Sequence, residues 1–471
     1  MEGRFWWGLS ALIRNTVHLQ GGWTCTAGAV VTLRFLRNRG AGVGLENRWG
    51  GKSVGWGVGC LQASKWHRPR REVDRSSPIA ADLAGARDGK ILKILRINRR
   101  RRDTDSGLGH ALVPMQKSDG MNYAPVGKPS PVVSAGEFPF AAVALDHGHI
   151  YGQCRGLTEA GGELRCVYDP DPQKVEKFCQ TFPGVKVMRS VEEVLEQKDL
   201  KLVASAAVPS ERGPLGLRVM GAGLDYFTDK APFTTLGQLE EARLRVRETG
   251  RKYAVYYAER IHTECGVRAG QLIAEGAIGR VVQVMGLGPH RSNPTARPAW
   301  FWDPARNGGI LCDIGSHQFE QFLSFAGATS ARVERAAVAN YHHKEHREFQ
   351  DWGEASLVGD NGATNYVRVD WLNPKGLRTW GDGRTFILGT AGYIELRKYL
   401  NVGAELEGDH LFLVDDRGEH HLRCHGEVGF PFFGQLILDC LNRTENAMSQ
   451  EHAFMAAELC LRAQEQAVRI E

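Results

Sequence analysis

Two polar residues that follow a pair of glycines are the strongest chemical signal in this sequence. Gly308 and Gly309 precede Asp313, and His317 follows four residues later. Apolar residues from 319 to 326 then recur with helical spacing. If Asp313 and His317 both lie in the first turn of that helix, they share a face and point into one site. A neutral imidazole accepts protons near pH 7, so His317 could be the base for a substrate hydroxyl.

The same two residues leave other roles open. Asp313 could orient the imidazole or hold a neighbouring substrate hydroxyl. A helix N-terminus disfavours a second positive charge, which would help to keep His317 neutral. Aspartate is also a favoured N-cap, and a histidine one turn later can be an ordinary helix residue. Position alone therefore allows both a catalytic pair and a helix cap.

A lysine at the end of a short strand is the second candidate. The sequence predicts a buried strand, a turn that contains Pro209, a helix and a strand at 225–228, which is followed by Asp229 and Lys230. A fixed ammonium beside a hydroxyl lowers the cost of alkoxide character while hydride leaves. The alternative is a surface lysine at a strand end.

The segment from Phe138 predicts a nucleotide-binding turn. A strand at 141–145 leads into a turn that holds Gly148 and Gly152, then a helix and a strand that ends at Asp169. The N-terminus of such a helix points unpaired N–H groups at a pyrophosphate, and an acidic side chain after the second strand accepts hydrogen bonds from ribose hydroxyls. Because a carboxylate repels a 2′-phosphate, we expect NAD, with NADP as the alternative.

The glycine motif itself is incomplete. In the GxGxxG register the first position is Asp146 and the last is Tyr151, so only Gly148 matches. An ordinary strand-to-helix turn therefore stays open. His147 and His149 in this turn could ligate a metal, but the spacing offers no third ligand, and we predict no metal site.

The order of these segments resembles the Gfo/Idh/MocA family, which includes glucose-fructose oxidoreductases and inositol dehydrogenases. The family has a dinucleotide fold, a strand that ends in a proline-containing turn, and a Glu-Lys-Pro signature. This chain has Asp229-Lys230-Ala231-Pro232, with Asp for Glu and one inserted Ala. The resemblance covers nearly all of residues 136–471. It implies that Lys230, Asp313 and His317 form the catalytic set, with Lys230 reaching both the nicotinamide ribose and the reacting hydroxyl.

The turn and the resemblance together predict the cofactor site and the fold. The predicted cofactor-binding residues are Asp146, His147, Gly148, His149, Ile150, Asp169, Val208, Pro209, Lys230 and Arg260. The predicted fold class is α/β, with an NAD-binding Rossmann domain at 136–258. The family resemblance then implies, for 259–471, an α+β domain with an open, mostly antiparallel sheet that carries the substrate and oligomer contacts.

Aromatic and charged residues in the second half predict a carbohydrate site, since sugar rings lie on aromatic faces and hydroxyls bond to charged groups. The predicted substrate-binding residues are His290, Arg291, Trp302, Trp380 and Arg384. The predicted reaction is hydride transfer between NAD and a hydroxyl of a sugar, sugar derivative or cyclitol. Two alternatives exist. One is an NAD-dependent glycosidase that works through transient ring oxidation and elimination. The other is a non-catalytic NAD-sensing regulator, which would be expected to have lost Lys230 or His317.

Charge divides the chain into two chemically different parts. Residues 1–120 hold 21 Lys and Arg against 9 Asp and Glu, a net charge of +12, so the other 351 residues carry −7 of the total of +5. We expect residues 1–135 to be a basic extension that is disordered or reflects a start assigned upstream of Met115 or Met121. A nucleic-acid or membrane tail and a targeting segment are the alternatives. The acidic remainder argues against nucleic acid as a partner, and no apolar run reaches the ~18 residues of a membrane span.

Compartment and assembly follow from weaker signals. Ten cysteines without a CxxC pair predict reduced thiols and a cytoplasmic protein rather than a disulfide framework. Strands such as 363–371 alternate apolar with polar side chains, which would leave one sheet face free for contact. Because members of the family commonly pair through that face, we expect a homodimer or homotetramer.

Overall fold

The computed structural model describes residues 123–404 and 407–471, and before residue 123 only the backbone of six strands. The chain divides into two compact units, Met1–His110 and Ala111–Glu471. The strands of the first unit are β1 (Trp6–Leu12), β2 (His18–Leu19), β3 (Trp23–Thr24), β4 (Val30–Leu36), β5 (Leu45–Trp49) and β6 (Lys52–Val54). One sheet has the order β1-β4-β5-β6, and β2 pairs with β3. The prediction for residues 1–135 falls mostly outside the described residues.

The second unit opens with a six-stranded parallel sheet. Its strands are β7 (Pro139–Val143), β8 (Glu163–Tyr168), β9 (Lys186–Val187), β10 (Leu202–Ser205), β11 (Asp225–Asp229) and β12 (Tyr253–Tyr256). Their spatial order is β12-β11-β10-β7-β8-β9. The order reverses between β7 and β10, as in a doubly wound Rossmann sheet. Strands β7, β10 and β11 are buried along their whole length, which parallel strands covered on both faces require.

Helices between these strands cover the sheet. They are α1 (His149–Glu159), α2 (Pro172–Thr181), α3 (Val191–Leu195), α4 (Pro209–Gly221) and α5 (Leu236–Thr249). Side chains that prefer helix N-caps begin three of them: Asp171, Ser190 and Thr235 each accept a hydrogen bond from a backbone N–H in the first turn. The predicted Rossmann domain is confirmed.

Two local predictions in this domain need correction. The first strand ends at Val143, two residues before the predicted end. Gly152, which we expected in the turn, lies inside α1. A Cβ atom at Gly152 would stand 2.5 Å from the Tyr256 hydroxyl, so this glycine permits a close approach between α1 and the residue at the end of β12.

A nine-stranded mixed sheet forms the core of the second half. Its strands are β13 (Val281–Pro289), β14 (Ala331–Ala339), β15 (Trp352–Gly359), β16 (Thr364–Asp370), β17 (Arg384–Gly389), β18 (Gly392–Arg397), β19 (His410–Asp415), β20 (Gly418–Arg423) and β21 (Val468–Ile470). The order is β20-β19-β18-β17-β13-β16-β15-β14-β21. Only the β13–β16 and β14–β21 pairs are parallel, so the predicted mostly antiparallel sheet is confirmed.

Seven further helices connect and cover this sheet. They are α6 (Ala258–Ile261), α7 (Glu264–Ala274), α8 (Pro304–Asn307), α9 (Ile310–Asp313), α10 (Gly315–Ala326), α11 (Pro431–Asn442) and α12 (Gln450–Gln466). Helix α10 is buried along nearly its whole length and lies on β13. A Cβ atom at Gly286 of β13 would stand 2.4 Å from the end of the Gln318 side chain, so this glycine allows α10 to approach β13 closely. None of the helices in the described ranges has the length and apolar character to cross a membrane.

Residues 123–135 are part of the second unit, although the predicted domain boundary places them in the extension. Ser130 and Val132 donate backbone hydrogen bonds to the carbonyls of Glu159 and Ala160 at 2.8 and 2.9 Å. The Tyr123 ring meets the Trp380 ring edge-on, with centroids 5.6 Å apart. This segment therefore belongs structurally with the residues that follow it.

Candidate active site

The candidate site lies where the parallel sheet reverses its strand order. Lys230 directly follows β11, Asp313 ends α9, and His317 lies in the first turn of α10. All three line one cavity with an empty volume of about 450 Å³. Open α/β sheets bind ligands at the carboxyl ends of their strands beside such a reversal. The fold thus brings together three residues that the sequence separates by up to 87 positions.

Lys230 and Asp313 form a buried ion pair. The Lys230 Nζ lies 2.7 Å from Asp313 Oδ1, and the two side chains are 6% and 18% exposed. Burial alone would raise the pKa of Asp313, but the Lys230 ammonium outweighs burial and holds that pKa below its ordinary value. The carboxylate is therefore ionised near neutral pH, and it fixes the ammonium at the cavity wall.

The backbone of Lys230 is held separately by the residue before it. Asp229 is fully buried and accepts hydrogen bonds from the Lys230 N–H at 2.8 Å and from Arg212 Nη2 at 3.0 Å. Arg212, on α4, also donates to the carbonyls of Ala207, Lys230 and Ala231. Arg212 of α4 thus holds the Asp229-Lys230-Ala231-Pro232 loop through one carboxylate and two backbone carbonyls of that loop. Sequence reasoning missed Arg212, because nothing in the local pattern of α4 marks it as buried.

Two glycines set the position of Asp313. Gly308 and Gly309 have φ angles of +86° and +84°, in the left-handed region that favours glycine. A Cβ atom at Gly309 would also stand 2.4 Å from the Gln464 side chain. After this turn the chain forms the short helix α9 and then α10. Asp313 and His317 therefore lie in two successive helices and not together in the first turn of a single helix. Helix α10 has Ile314 as its N-cap residue and no side-chain cap. The capping role considered for Asp313 is therefore wrong.

His317 is a neutral imidazole in the cavity wall. It is 3% exposed, and burial lowers its pKa to about 3, opposed by the nearby Glu259 carboxylate. Its Nδ1 has no hydrogen-bond partner among the described residues. A neutral ring with an unengaged nitrogen can exchange a proton with a bound molecule.

A buried carboxylate that the sequence analysis missed lies in the same wall. Glu259, in α6, accepts hydrogen bonds through Oε2 from Lys398 Nζ and Gln318 Nε2, both at 2.8 Å. Burial raises its pKa, but the Lys398 ammonium that pairs with it outweighs burial and holds the pKa well below its ordinary value. Charged residues are rarely predicted to be buried, and Lys398 lies 139 residues away in the chain. The sequence therefore contained no local signal for this pair.

Aromatic rings close the remaining walls. The rings that line the cavity are Tyr123, Trp300, Phe301, Trp371, Trp380 and Tyr399. Arg297 lies over two of them, with its guanidinium carbon 4.4 Å from the Phe301 centroid and 4.8 Å from that of Trp371. In the described part of the chain, the Tyr399 hydroxyl also has no hydrogen-bond partner. The cavity thus combines flat apolar faces with buried polar atoms that a ligand would have to satisfy.

The other end of the sheet edge carries the residues predicted for the cofactor ribose. Asp169 accepts hydrogen bonds from the backbone N–H groups of Leu145 at 2.6 Å and Asp171 at 2.8 Å. Lys174, which we did not predict, lies 2.6 Å from Asp146 and 3.7 Å from Asp169. Two carboxylates and the N-terminus of α1 at a strand-order reversal form a donor and acceptor set that fits a dinucleotide.

Comparison with known proteins decides the family. A family model described as an oxidoreductase family with an NAD-binding Rossmann fold matches residues 142–257. The GFO/IDH/MocA C-terminal domain matches residues 267–395. The chain belongs to the Gfo/Idh/MocA family of NAD-binding oxidoreductases.

One relative and two solved structures are similar to this chain. The scyllo-inositol 2-dehydrogenase (NAD(+)) of Bacillus subtilis (strain 168) is 25% identical over 248 residues, which cover 52% of this chain and 70% of that enzyme. A crystal structure of a candidate oxidoreductase from Erwinia carotovora atroseptica SCRI1043 is 49% identical, with a TM-score of 0.69, and covers 71% of this chain and 100% of that one. GenD2 from gentamicin A biosynthesis, in complex with NAD, shares the fold at 21% identity and a TM-score of 0.56, covering 73% and 96% of the two chains.

Some of the residues predicted for this Gfo/Idh/MocA chain meet at the cavity and others do not. Those that line it are His147, His149, Lys230, His290, Asp313, His317 and Trp380. Val208 and Pro209 begin α4 after β10, and Gly148 and Ile150 lie at the start of α1. Arg260 does not line the cavity, and its guanidinium pairs with the buried Glu320 of α10.

Three predicted substrate residues also point elsewhere. Arg291 donates to the carbonyls of Leu377 and Thr379. Trp302 stacks on His346, with ring centroids 4.0 Å apart, and Arg384 pairs with Asp382 at 2.7 Å. Sequence proximity to the site did not reveal the direction of these side chains.

The turn histidines meet a potential third metal ligand that the sequence did not reveal. His147, His149 and Asp229 each offer one ligand atom, and these atoms lie within 4.8 Å of one another. However, Asp229 already bonds to His149 Nδ1 at 2.8 Å and to Arg212. A guanidinium on the same carboxylate disfavours a second cation there. The absence of a metal site stays a prediction.

Proposed function

We propose that this chain oxidises a hydroxyl group of a sugar, sugar derivative or cyclitol, with NAD as its cofactor. The observation that carries the proposal is the Lys230–Asp313 pair at 2.7 Å beside the buried, neutral His317 in one cavity. The name of the Bacillus subtilis relative, scyllo-inositol 2-dehydrogenase (NAD(+)), supports this substrate class. Buried polar atoms without partners beside aromatic faces are also what a polyhydroxylated ring would satisfy.

The three residues divide the chemistry of alcohol oxidation between them. The His317 ring takes the proton from the substrate hydroxyl. The Lys230 ammonium, held by Asp313, stabilises the negative charge that develops on the oxygen. The ionised Glu259 near His317 then favours the imidazolium that forms. When bound, NAD supplies the acceptor for the hydride that leaves the carbinol carbon.

The cofactor is assigned to the sheet edge between β7 and β8. The start of α1 around Gly148 would hold the pyrophosphate, and Asp169 would accept from the ribose hydroxyls. The carboxylates of Asp146 and Asp169 favour free hydroxyls over a phosphate, so we expect NAD to be preferred. Lys174, paired with both, reduces that preference and keeps NADP as the weaker alternative.

A substrate panel tests the proposal. The purified chain is incubated with excess NAD and, in separate reactions, myo-inositol, scyllo-inositol, D-glucose and aryl glycosides. NADH formed in proportion to one of the ring polyols is the expected result. Aryl glycoside cleavage with catalytic NAD and no net NADH would replace the proposal with the glycosidase mechanism. NAD binding without turnover on any compound would favour the regulator.

A further inference from the structure

Glu259 presents one free carboxylate oxygen to the cavity. Its Oε2 is used by Lys398 and Gln318, but its Oε1 has no hydrogen-bond partner among the residues described. The side chain is 2% exposed and lines the same cavity as His317. An ionised carboxylate can only accept hydrogen bonds. Leaving a buried acceptor unsatisfied is costly, so a bound molecule that donates to it gains affinity.

A second acceptor faces this oxygen. His290 Nε2 lies 3.8 Å from Glu259 Oε1, which is too far for a hydrogen bond. His290 Nδ1 lies 3.1 Å from the Gly288 carbonyl, which can only accept, so Nδ1 carries the proton. Burial lowers the pKa of His290 to about 4, so the ring is neutral near pH 7 and Nε2 is an acceptor. Two acceptors thus lie 3.8 Å apart, and neither can donate a hydrogen bond to the other.

Lys398 explains why the carboxylate stays charged. Its side chain is fully buried and lies 2.8 Å from Glu259 Oε2, on the far side from Oε1. Lys230, which could also neutralise a carboxylate, is already paired with Asp313. The wall therefore keeps an anionic acceptor beside a neutral one, and the Oε1 atom of the anionic acceptor has no hydrogen-bond partner among the described residues.

We infer that Glu259 and His290 form a subsite that accepts hydrogen bonds from two neighbouring hydroxyl groups of the substrate. This inference rests on the proposed function, in which a further hydroxyl lies at Lys230 and His317. It makes Glu259 a specificity-determining residue: the substrate class narrows to rings with hydroxyls on adjacent carbons, and simple alcohols are poor substrates.

A series of ring alcohols tests the subsite. Cyclohexanol, trans-1,2-cyclohexanediol and 1,2,3-cyclohexanetriol are compared by calorimetry in the presence of NAD and by the rate of NADH formation. A hydrogen bond to a charged group is expected to tighten binding at least about tenfold, so the triol should bind at least about tenfold tighter than cyclohexanol. Equal affinities for the three probes, or no binding of the triol at millimolar concentration, would overturn the inference.

A double variant removes the subsite without leaving a buried charge. Glu259→Leu with Lys398→Met deletes both partners, which is often tolerated where removal of one is not. The ratio of triol to cyclohexanol affinity, measured by calorimetry, should fall at least about tenfold. His290→Phe, which removes a neutral acceptor, should lower the ratio on its own and carries the test if the double variant fails to fold. An unchanged ratio in folded variants would refute the subsite.

Two controls separate the possible failures. Glu264→Gln alters a buried carboxylate that accepts only backbone N–H groups outside the cavity, and it should leave the ratio unchanged. trans-2-Aminocyclohexanol replaces a hydroxyl with an ammonium, and tighter binding of this amine than of the triol would contradict a hydroxyl subsite.

If the triol binds selectively but no NADH forms, the proposed function fails while the subsite stands. If NADH forms equally well from cyclohexanol, the subsite fails while the function stands.

Discussion

The Lys230–Asp313 pair gives the most direct prediction about energetics. Asp313→Asn keeps the shape of the side chain but removes the negative charge 2.7 Å from a side chain that is only 6% exposed. Removal of one partner of a buried ion pair costs about 3 to 5 kcal/mol, because the other charge is left uncompensated. Since Asp313 itself is 18% exposed, we expect the lower end, about 3 kcal/mol in the free energy of unfolding.

A double-mutant cycle isolates the interaction from the other effects of substitution. Asp313→Asn, Lys230→Met and the double variant are unfolded by urea at pH 7, with the linear extrapolation applied to each. The double variant should lose about 2 kcal/mol less than the two single losses combined, because neither charge is left unpaired.

An exposed pair supplies the control. Arg218 and Glu192 are 51% and 65% exposed, and solvent screening should leave only a small coupling between them in the same assay. If the coupling between Lys230 and Asp313 were as small as this, the pair would not be closed in solution, and the argument that Asp313 fixes the ammonium would fail.

Three further predictions concern pH, chain length and the cofactor. Burial lowers the pKa of several histidines, and for three of them, His262, His290 and His317, the pKa falls to about 3 or 4. Below pH 6.5 the unfolded chain therefore binds protons that the folded chain does not bind. In urea titrations, the free energy of unfolding should be highest above pH 6.5 and fall by up to about 4 kcal/mol per pH unit on acidification. A free energy of unfolding that does not change from pH 7 to 5 would contradict these pKa shifts. In calorimetry, a chain that starts at Met121 should melt at the same temperature as the full chain. A chain that starts at Gly136 lacks Tyr123 and should melt roughly 4 °C lower or more. Equal melting temperatures of the two shortened chains would show that residues 123–135 do not stabilise the fold. NAD should bind more tightly than NADP, and Asp169→Asn should reduce the difference between the two affinities. Tighter binding of NADP by the unaltered chain would refute the assignment of Asp169 to the cofactor ribose.

The sequence predicts the architecture well because its signals are local. Buried parallel strands read as short apolar runs, and their order along the chain resembles a known family closely enough to predict the Rossmann domain and the mixed sheet. Lys230, Asp313 and His317 could be singled out because each lies in a short sequence motif, and all three line one cavity. Their catalytic roles stay predictions. The oligomeric state and the compartment stay predictions.

The missed residues share a physical reason. Glu259 and Lys398 pair with each other across 139 residues, and no local pattern distinguishes a buried charged pair from two solvated side chains. Arg291, Trp302 and Arg384 lie close in sequence to residues that line the cavity, but their side chains have other partners. Arg291 bonds to backbone carbonyls, Trp302 stacks on a histidine, and Arg384 pairs with an aspartate. Tyr123 lies before the predicted domain boundary, yet its ring lines the cavity.

Single-turnover formation of NADH by His317→Ala tests the central claim most directly. The variant and the unaltered chain are mixed with NAD and whichever ring polyol the panel identifies, and NAD affinity is measured by calorimetry on the same samples. Loss of the proton acceptor should slow NADH formation ~100- to 10,000-fold, while NAD affinity barely changes. Turnover near that of the unaltered chain at neutral pH would contradict the assignment of His317 as the base and, with it, the proposed mechanism.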